Sequence, residues 1–254
     1  MDMPKNHFKR RLLAGETQIG LWNSLASAYS TEICAGAGFD WMLLDTEHAP
    51  SDVPLVLTQL QAAAPYPTPC VVRPAWNDKV LIKRFLDIGA QSLLIPFVQN
   101  ADDARAAVDA CRYPPHGSRG VSVTARHNRF GRVATYFQEV HNELCILVQA
   151  ETMEAVSNLD AILAVDGVDG VFIGPADLAA DMGHVGKTNV PEVRAETEKA
   201  LRKIRASGKA AGFLWGNADE CQHWIDVGAN FIAVGSDLGL LARGAENLCK
   251  KFKA

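Results

Sequence analysis

A small set of polar residues in this chain could perform carbonyl chemistry together. Asp45, Glu47 and His48 follow the apolar run WMLL; Arg73 ends PCVVR; Gln149 and Glu151 follow CILV; Asp177 comes just after Gly174-Pro175-Ala176. Carboxylates such as Glu151 and Asp177 suit a hard divalent cation, Mg²⁺, Mn²⁺ or Co²⁺, with positions left for water and substrate oxygens. A histidine such as His48 can move a proton near neutral pH, and an arginine such as Arg73 can bind a carboxylate or stabilise negative charge developing on oxygen. Each residue also has a plain structural alternative. Glu151 and Asp177 could be acids in a first helical turn, Arg73 and Asp45 a strand-end salt bridge, His48 a hydrogen-bonded loop residue, and Gly174-Pro175 a turn. What argues for chemistry is that all of them close strand-like runs at the same end.

The elements that would position them recur along the chain. Four times a helix-like segment ends in Gly and a short apolar run follows: 35–45, 87–96, 165–174 and 226–235. Glycine suits the positive φ just past a helix, and an apolar run without alternation suits a strand buried on both faces. Further strand-like runs at 19–23, 69–73, 145–149 and 210–215 bring the number to eight. Helical spacing is read over 52–63, 80–88, 102–111, 153–163, 193–207, 219–227 and 238–252. Strand and helix alternating in this way predict one (β/α)8 barrel over residues 1–254, whose active site lies at the C-terminal ends of the strands. A doubly wound open sheet is the alternative, but no GxGxxG follows the first strand. Two insertions, 113–131 and 181–191, are expected to be lids or subunit contacts.

Composition sets outer limits. The charge of −4, with the basic runs Lys9-Arg10-Arg11 and Lys250-Lys251 read as solvated termini, argues against nucleic acid as a partner. The six cysteines form no CxxC motif and suit a reducing cytoplasm. No apolar stretch approaches the length of a membrane span, and the first residues do not read as an export signal.

The segments 20–50, VVRPAWND (71–78), RYPPHGSRG (112–120), LVQAET (147–152) and GVFIGPADLAADMG (170–183) closely resemble the HpcH/HpaI aldolases. That resemblance runs over essentially the whole chain. It implies a metal-dependent class II pyruvate aldolase in which Glu151 and Asp177 hold the metal. Gln149 and the backbone of Ala176 and Asp177 would contact the pyruvate moiety. His48 would be the catalytic base and Arg73 the stabiliser of developing charge, with Asp45 as its partner. It also implies a hexamer built as a trimer of dimers, with the last helix exchanged between subunits. Asp87 would pair with His48, yet it precedes strand four and should sit at the opposite face, within reach of His48 only from a neighbouring subunit.

Cleaving a carbon–carbon bond beside a keto group needs an electron sink, either a Schiff-base lysine or a metal. No lysine closes a strand at its C-terminal end, which favours the metal. The reaction expected is therefore cleavage or formation of 4-hydroxy-2-oxo acids from pyruvate, or a related 2-oxo acid such as hydroxypyruvate, and an aldehyde. Trp22, Val121, Ser122, Leu214 and Trp215 are candidates for setting aldehyde length, with Trp22 and Trp215 equally readable as packing. Two other readings are a citrate-lyase-like enzyme acting on a CoA thioester, with Arg112, Arg119, Arg126, Arg129 and Arg132 as a phosphate groove, and a non-catalytic metabolite-binding barrel.

Overall fold

The structure, a computed structural model, describes residues 1–253. Eight parallel strands close into a barrel in sequence order: β1 (Gln18–Asn23), β2 (Trp41–Asp45), β3 (Cys70–Arg73), β4 (Ser92–Ile95), β5 (Cys145–Ala150), β6 (Gly170–Ile173), β7 (Ala210–Leu214) and β8 (Phe231–Ser236). Twelve helices accompany them: α1 (His7–Leu13), α2 (Ala28–Ala35), α3 (Val53–Ala63), α4 (Lys79–Asp87), α5 (Ala101–Cys111), α6 (Tyr136–Glu143), α7 (Met153–Ser157), α8 (Leu159–Leu163), α9 (Pro175–Asp181), α10 (Pro191–Ala206), α11 (Ala218–Val227) and α12 (Asp237–Lys253).

Every residue of β2, β4, β5 and β6 is buried, because the barrel lumen covers one face and the helices the other. Two cores result. Trp22, Trp41, Leu43, Leu147, Phe172 and Phe231 fill the lumen, while Leu44, Val72, Phe85, Val148, Phe213 and Trp224 pack between strands and helices. The helices start where polar caps allow: the side chains of Ser27, Asp52, Asp78, Asn100, Thr152 and Asn217 accept N–H groups of the first turn. They stop at turns where Gly38, Gly89, Gly167 and Gly228 take positive φ, as the four helix–strand repeats require.

Two features depart from expectation, and a third bears on assembly. Lys9-Arg10-Arg11 is not a solvated tail. It lies on α1, where Arg10 pairs with Glu143 at 2.6 Å, Arg11 with Asp40 at 2.7 Å and Lys9 with Asp169 at 3.3 Å. These pairs hold Phe8 in the N-terminal end of the lumen, its ring centroid 5.8 Å from that of Trp41. The segment 113–131 does not cover the mouth of its own barrel. Arg119 bonds Asp87 and Arg126 bonds the Ile88 carbonyl, so the loop lies at the N-terminal end, against the close of α4. Finally, α12 leaves Leu238, Leu240, Leu241, Leu248 and Phe252 exposed. Its Asp237, by contrast, is buried and accepts the N–H groups of Ser24 and Leu25 at 2.8 and 3.2 Å.

Candidate active site

Parallel register places Asp45, at the end of β2, directly beside Arg73, at the end of β3. The guanidinium donates to both carboxylate oxygens, Nε to Oδ1 at 2.9 Å and Nη2 to Oδ2 at 2.8 Å. Its Nη1 meets Glu47 at 2.8 Å, and its Cζ lies 4.8 Å from the Trp22 ring centroid. The Trp22 indole donates to Asp45 at 3.3 Å. Burial pushes the Asp45 carboxyl up, but the Arg73 hydrogen bonds and charge, with the Glu47 N–H, outweigh it and hold the group below the usual carboxylate range. A planar cation is thus fixed on three sides. Two of its five N–H donors are hydrogen-bonded, both to Asp45, and the Glu47 contact is an ion pair, so N–H groups on Nη1 and Nη2 remain for substrate oxygens.

Beside this pair lies a crowd of acids. Glu151, just past β5, is 2% exposed, and burial first, then the charges of Glu47 and Asp177, push its carboxyl up to about 7. Burial likewise raises Glu47, opposed by Arg73 and His48. Asp177 stands exposed in the first turn of α9, whose N-cap is Gly174. The Glu151 carboxylate is oriented by the Gln149 amide and by the Phe97 N–H at 2.9 Å. Gly174 makes room for it: a Cβ there would stand 2.6 Å from Glu151 Oε2 and 2.9 Å from Gln149 Nε2.

A divalent cation fits this donor set. The acids repel one another, a buried carboxyl is driven toward protonation, and the side-chain amide oxygen of Gln149 is buried without a partner. Among the described residues no three His, Cys, Asp or Glu side chains converge on one point to enclose an ion. A cation held by Glu151 and Asp177 would therefore keep open positions for water and substrate.

The remaining candidates divide. His48 is exposed at the C-terminal end of the barrel, near enough to Glu47 for its charge to act there, and Ala176 is exposed on the first turn of α9. Leu214 closes β7 and packs on the lumen cluster. Trp22 is 5% exposed and packs on Phe172 inside the lumen, so it backs Arg73 and does not form the rim. Trp215 stacks outside the strands on Phe213 and Trp224 and does not line the mouth. Val121 and Ser122 travel with the loop at the other end. Asp87 ends α4, paired with Arg119 at 2.7 Å, and within one chain it does not join His48. Of the five arginines of the phosphate-groove reading, Arg112 is engaged by Asp166 and Arg119 is buried on Asp87. Sequence reasoning missed two contributors: the Phe97 N–H, offered from a left-handed residue at φ 54°, and the Trp76–Phe97 stack, centroids 5.2 Å apart, on the loops after β3 and β4. Nothing in the local sequence signals either.

The profile of HpcH/HpaI aldolase/citrate lyase matches residues 18–244. The chain belongs to this family. It is similar to a 4-hydroxy-2-oxo-heptane-1,7-dioate aldolase of Salmonella heidelberg (strain SL476), 59% identical over 251 residues that cover 98% of this chain and 95% of the relative. An aldolase of the same name from Klebsiella pneumoniae is 59% identical over 248 residues, 97% and 94% of the two chains. Among solved structures, an HpcH/HpaI aldolase/citrate lyase family protein from Burkholderia cenocepacia J2315 superposes with a TM-score of 0.95 at 35% identity, covering 98% of this chain and all of that one. As a member of the HpcH/HpaI family this chain is an enzyme of the carbon–carbon lyase class.

Proposed function

We propose that the protein is a divalent-metal-dependent aldolase that cleaves or forms 4-hydroxy-2-oxo acids from pyruvate, or a related 2-oxo acid, and an aldehyde. The substrate named for its relatives, 4-hydroxy-2-oxo-heptane-1,7-dioate, is the first to try. The observation that carries this reading is the arginine of fixed geometry beside the buried Glu151 and the two acids, Glu47 and Asp177, whose charges act on it.

Glu151 and Asp177 would hold the cation, which when bound supplies the electron sink for the keto group. Gln149 and the N–H groups of Ala176 and Asp177, at the start of α9, orient the carboxylate end of the 2-oxo acid. Arg73 offers its free Nη donors to the oxygen on which negative charge grows, and Asp45, Glu47 and Trp22 keep the fork from turning away. His48 accepts the proton of the 4-hydroxyl as the carbon–carbon bond breaks and returns it in the synthetic direction. Leu214, at the end of β7, would meet the aldehyde portion.

The exposed face of α12 supports an oligomer. Five large apolar side chains exposed on one helix are covered if α12 packs on a neighbouring copy, and a hexamer of exchanged helices does so. Asp87 then has a route to the His48 of another subunit. Six unpaired cysteines support a reducing cytoplasm.

The deciding experiment is product analysis with purified protein and a panel of aldehydes. Chelation should abolish retro-aldol activity and Mg²⁺, Mn²⁺ or Co²⁺ should restore it. Borohydride trapping of pyruvate on a lysine, or activity that survives chelation, would overturn the reading.

A further inference from the structure

The Glu151 carboxylate is held at both oxygens, Oε2 by the Gln149 side-chain amide and Oε1 by the Phe97 N–H at 2.9 Å. The first contact is local, since Gln149 and Glu151 are two residues apart. The second reaches across from the loop after β4, and it depends on a backbone conformation that Phe97 does not favour. Its φ is 54°, in the left-handed region, where a Cβ crowds the following carbonyl oxygen. A residue with a large side chain adopts it only when its surroundings hold it there.

The stretch that follows is pinned. The Val98 N–H donates to the Gln149 carbonyl at 3.0 Å. Gln99 is tied three times: its N–H donates to Asp103 Oδ2 at 3.0 Å, its carbonyl accepts Asn158 Nδ2 at 3.0 Å, and its side-chain oxygen accepts the Thr152 hydroxyl at 2.6 Å. Relief of the left-handed conformation therefore requires rotation about the Phe97 N–Cα bond. That rotation either turns the N–H away from Glu151 or swings the ring from its place.

The ring is braced by Trp76, stacked on it with centroids 5.2 Å apart and planes at 29°. An aromatic pair contributes a stabilisation of the same order as the cost of one left-handed residue, so this stack is large enough to matter. The two rings are kept in register by one anchor. Asp103 accepts the Gln99 N–H on its carboxylate, and its backbone carbonyl accepts Asn77 Nδ2, next to Trp76, at 3.0 Å. We propose that Trp76 and Phe97 are a positioning pair for Glu151: the stack braces Phe97 in its left-handed conformation, and that conformation aims the N–H that orients the carboxylate for the cation. The inference rests on Glu151 as a ligand, and adds that two aromatic residues on separate loops set how well it serves.

Calorimetric titration of the full metal-free chain with Mn²⁺ at pH 8 tests the pair. Trp76→Ala should weaken Mn²⁺ binding by about three- to tenfold, the range one aromatic pair supports, and Trp76→Phe, which keeps an aromatic face, should stay within about twofold of the parent. Phe97→Ala keeps the N–H and the strain but loses the stack, and should weaken binding as Trp76→Ala does. Phe97→Gly should bind Mn²⁺ more tightly than Phe97→Ala, because glycine reaches positive φ without a brace. In the Phe97→Gly background, adding Trp76→Ala should cost no more than about twofold. A merely structural role predicts the opposite order, since glycine loosens a loop more than alanine. Trp76 is 52% exposed, so its two variants decide the matter should the Phe97 variants fail to fold. Parent affinity in Trp76→Ala, or a folded Phe97→Gly variant that binds no more tightly than Phe97→Ala, would overturn the pair. Glu151→Gln separates this inference from the reading beneath it. If Glu151→Gln binds Mn²⁺ as tightly as the parent, Glu151 is not a ligand and both fall; if it loses Mn²⁺ while Trp76→Ala keeps it, the ligand stands and the pair alone falls.

Discussion

Replacing Glu151 by Gln should abolish activity and yet stabilise the metal-free protein. The carboxyl is buried against Glu47 and Asp177 and titrates near about 7, above its ordinary 4.5. Because the folded-state value is raised, the stability linked to this proton is fully present below pH 4.5, is lost as pH rises through about 7, and stays lost above. The difference corresponds to about 3 kcal/mol at pH 8, an upper bound for one buried carboxylate. Glutamine keeps the shape without the charge and can still accept the Phe97 N–H. At pH 8 the metal-free Glu151→Gln variant should therefore melt several degrees above the parent, since about 1 kcal/mol is worth roughly 2–4 °C in a chain of this size. At pH 4.5 the two should melt together. Calorimetric metal titration provides the companion measurement: near pH 6 a cation must displace the Glu151 proton, so about one proton is released and the apparent affinity falls roughly tenfold per pH unit below 7. Equal melting at pH 8, or metal binding without proton release at pH 6, would refute the account of Glu151 as a strained ligand.

Three further substitutions probe its neighbours. Arg73→Lys keeps the charge but cannot bridge both Asp45 oxygens, and should lower kcat/KM by about 10²-fold or more and slow exchange of pyruvate methyl protons with solvent, followed by NMR. If His48 serves only the aldehyde half of the reaction, as proposed, His48→Ala should lose about 10²- to 10⁴-fold in cleavage while metal affinity and much of the methyl exchange survive. Gly174→Ala puts a Cβ 2.6 Å from Glu151 Oε2, so metal affinity measured by calorimetry should drop by about tenfold or more while the far-ultraviolet circular dichroism is unchanged.

The sequence alone made the barrel legible, together with most of the residues gathered in its candidate site. Runs such as WMLLD and CILVQ are apolar without alternation because both strand faces are buried, and that requirement is local enough to be written in consecutive residues. Strand ends then mark the functional face, which is why Asp45, Arg73, Gln149 and Glu151 could be named together. Tertiary structure decided whatever depends on contacts between distant segments. Only the closed barrel shows that Trp22 supports Arg73 from inside the lumen, that Trp215 faces outward, and that Phe97 turns its N–H to Glu151. The basic run 9–11 reads as a free tail until Glu143, Asp40 and Asp169 come to meet it, and the loop 113–131 reads equally as a lid or a subunit contact until Arg119 finds Asp87 at the end opposite the mouth. Charge partners far apart in the chain leave no periodic trace, so residue type and spacing disclose which groups are available, and the fold decides which of them meet.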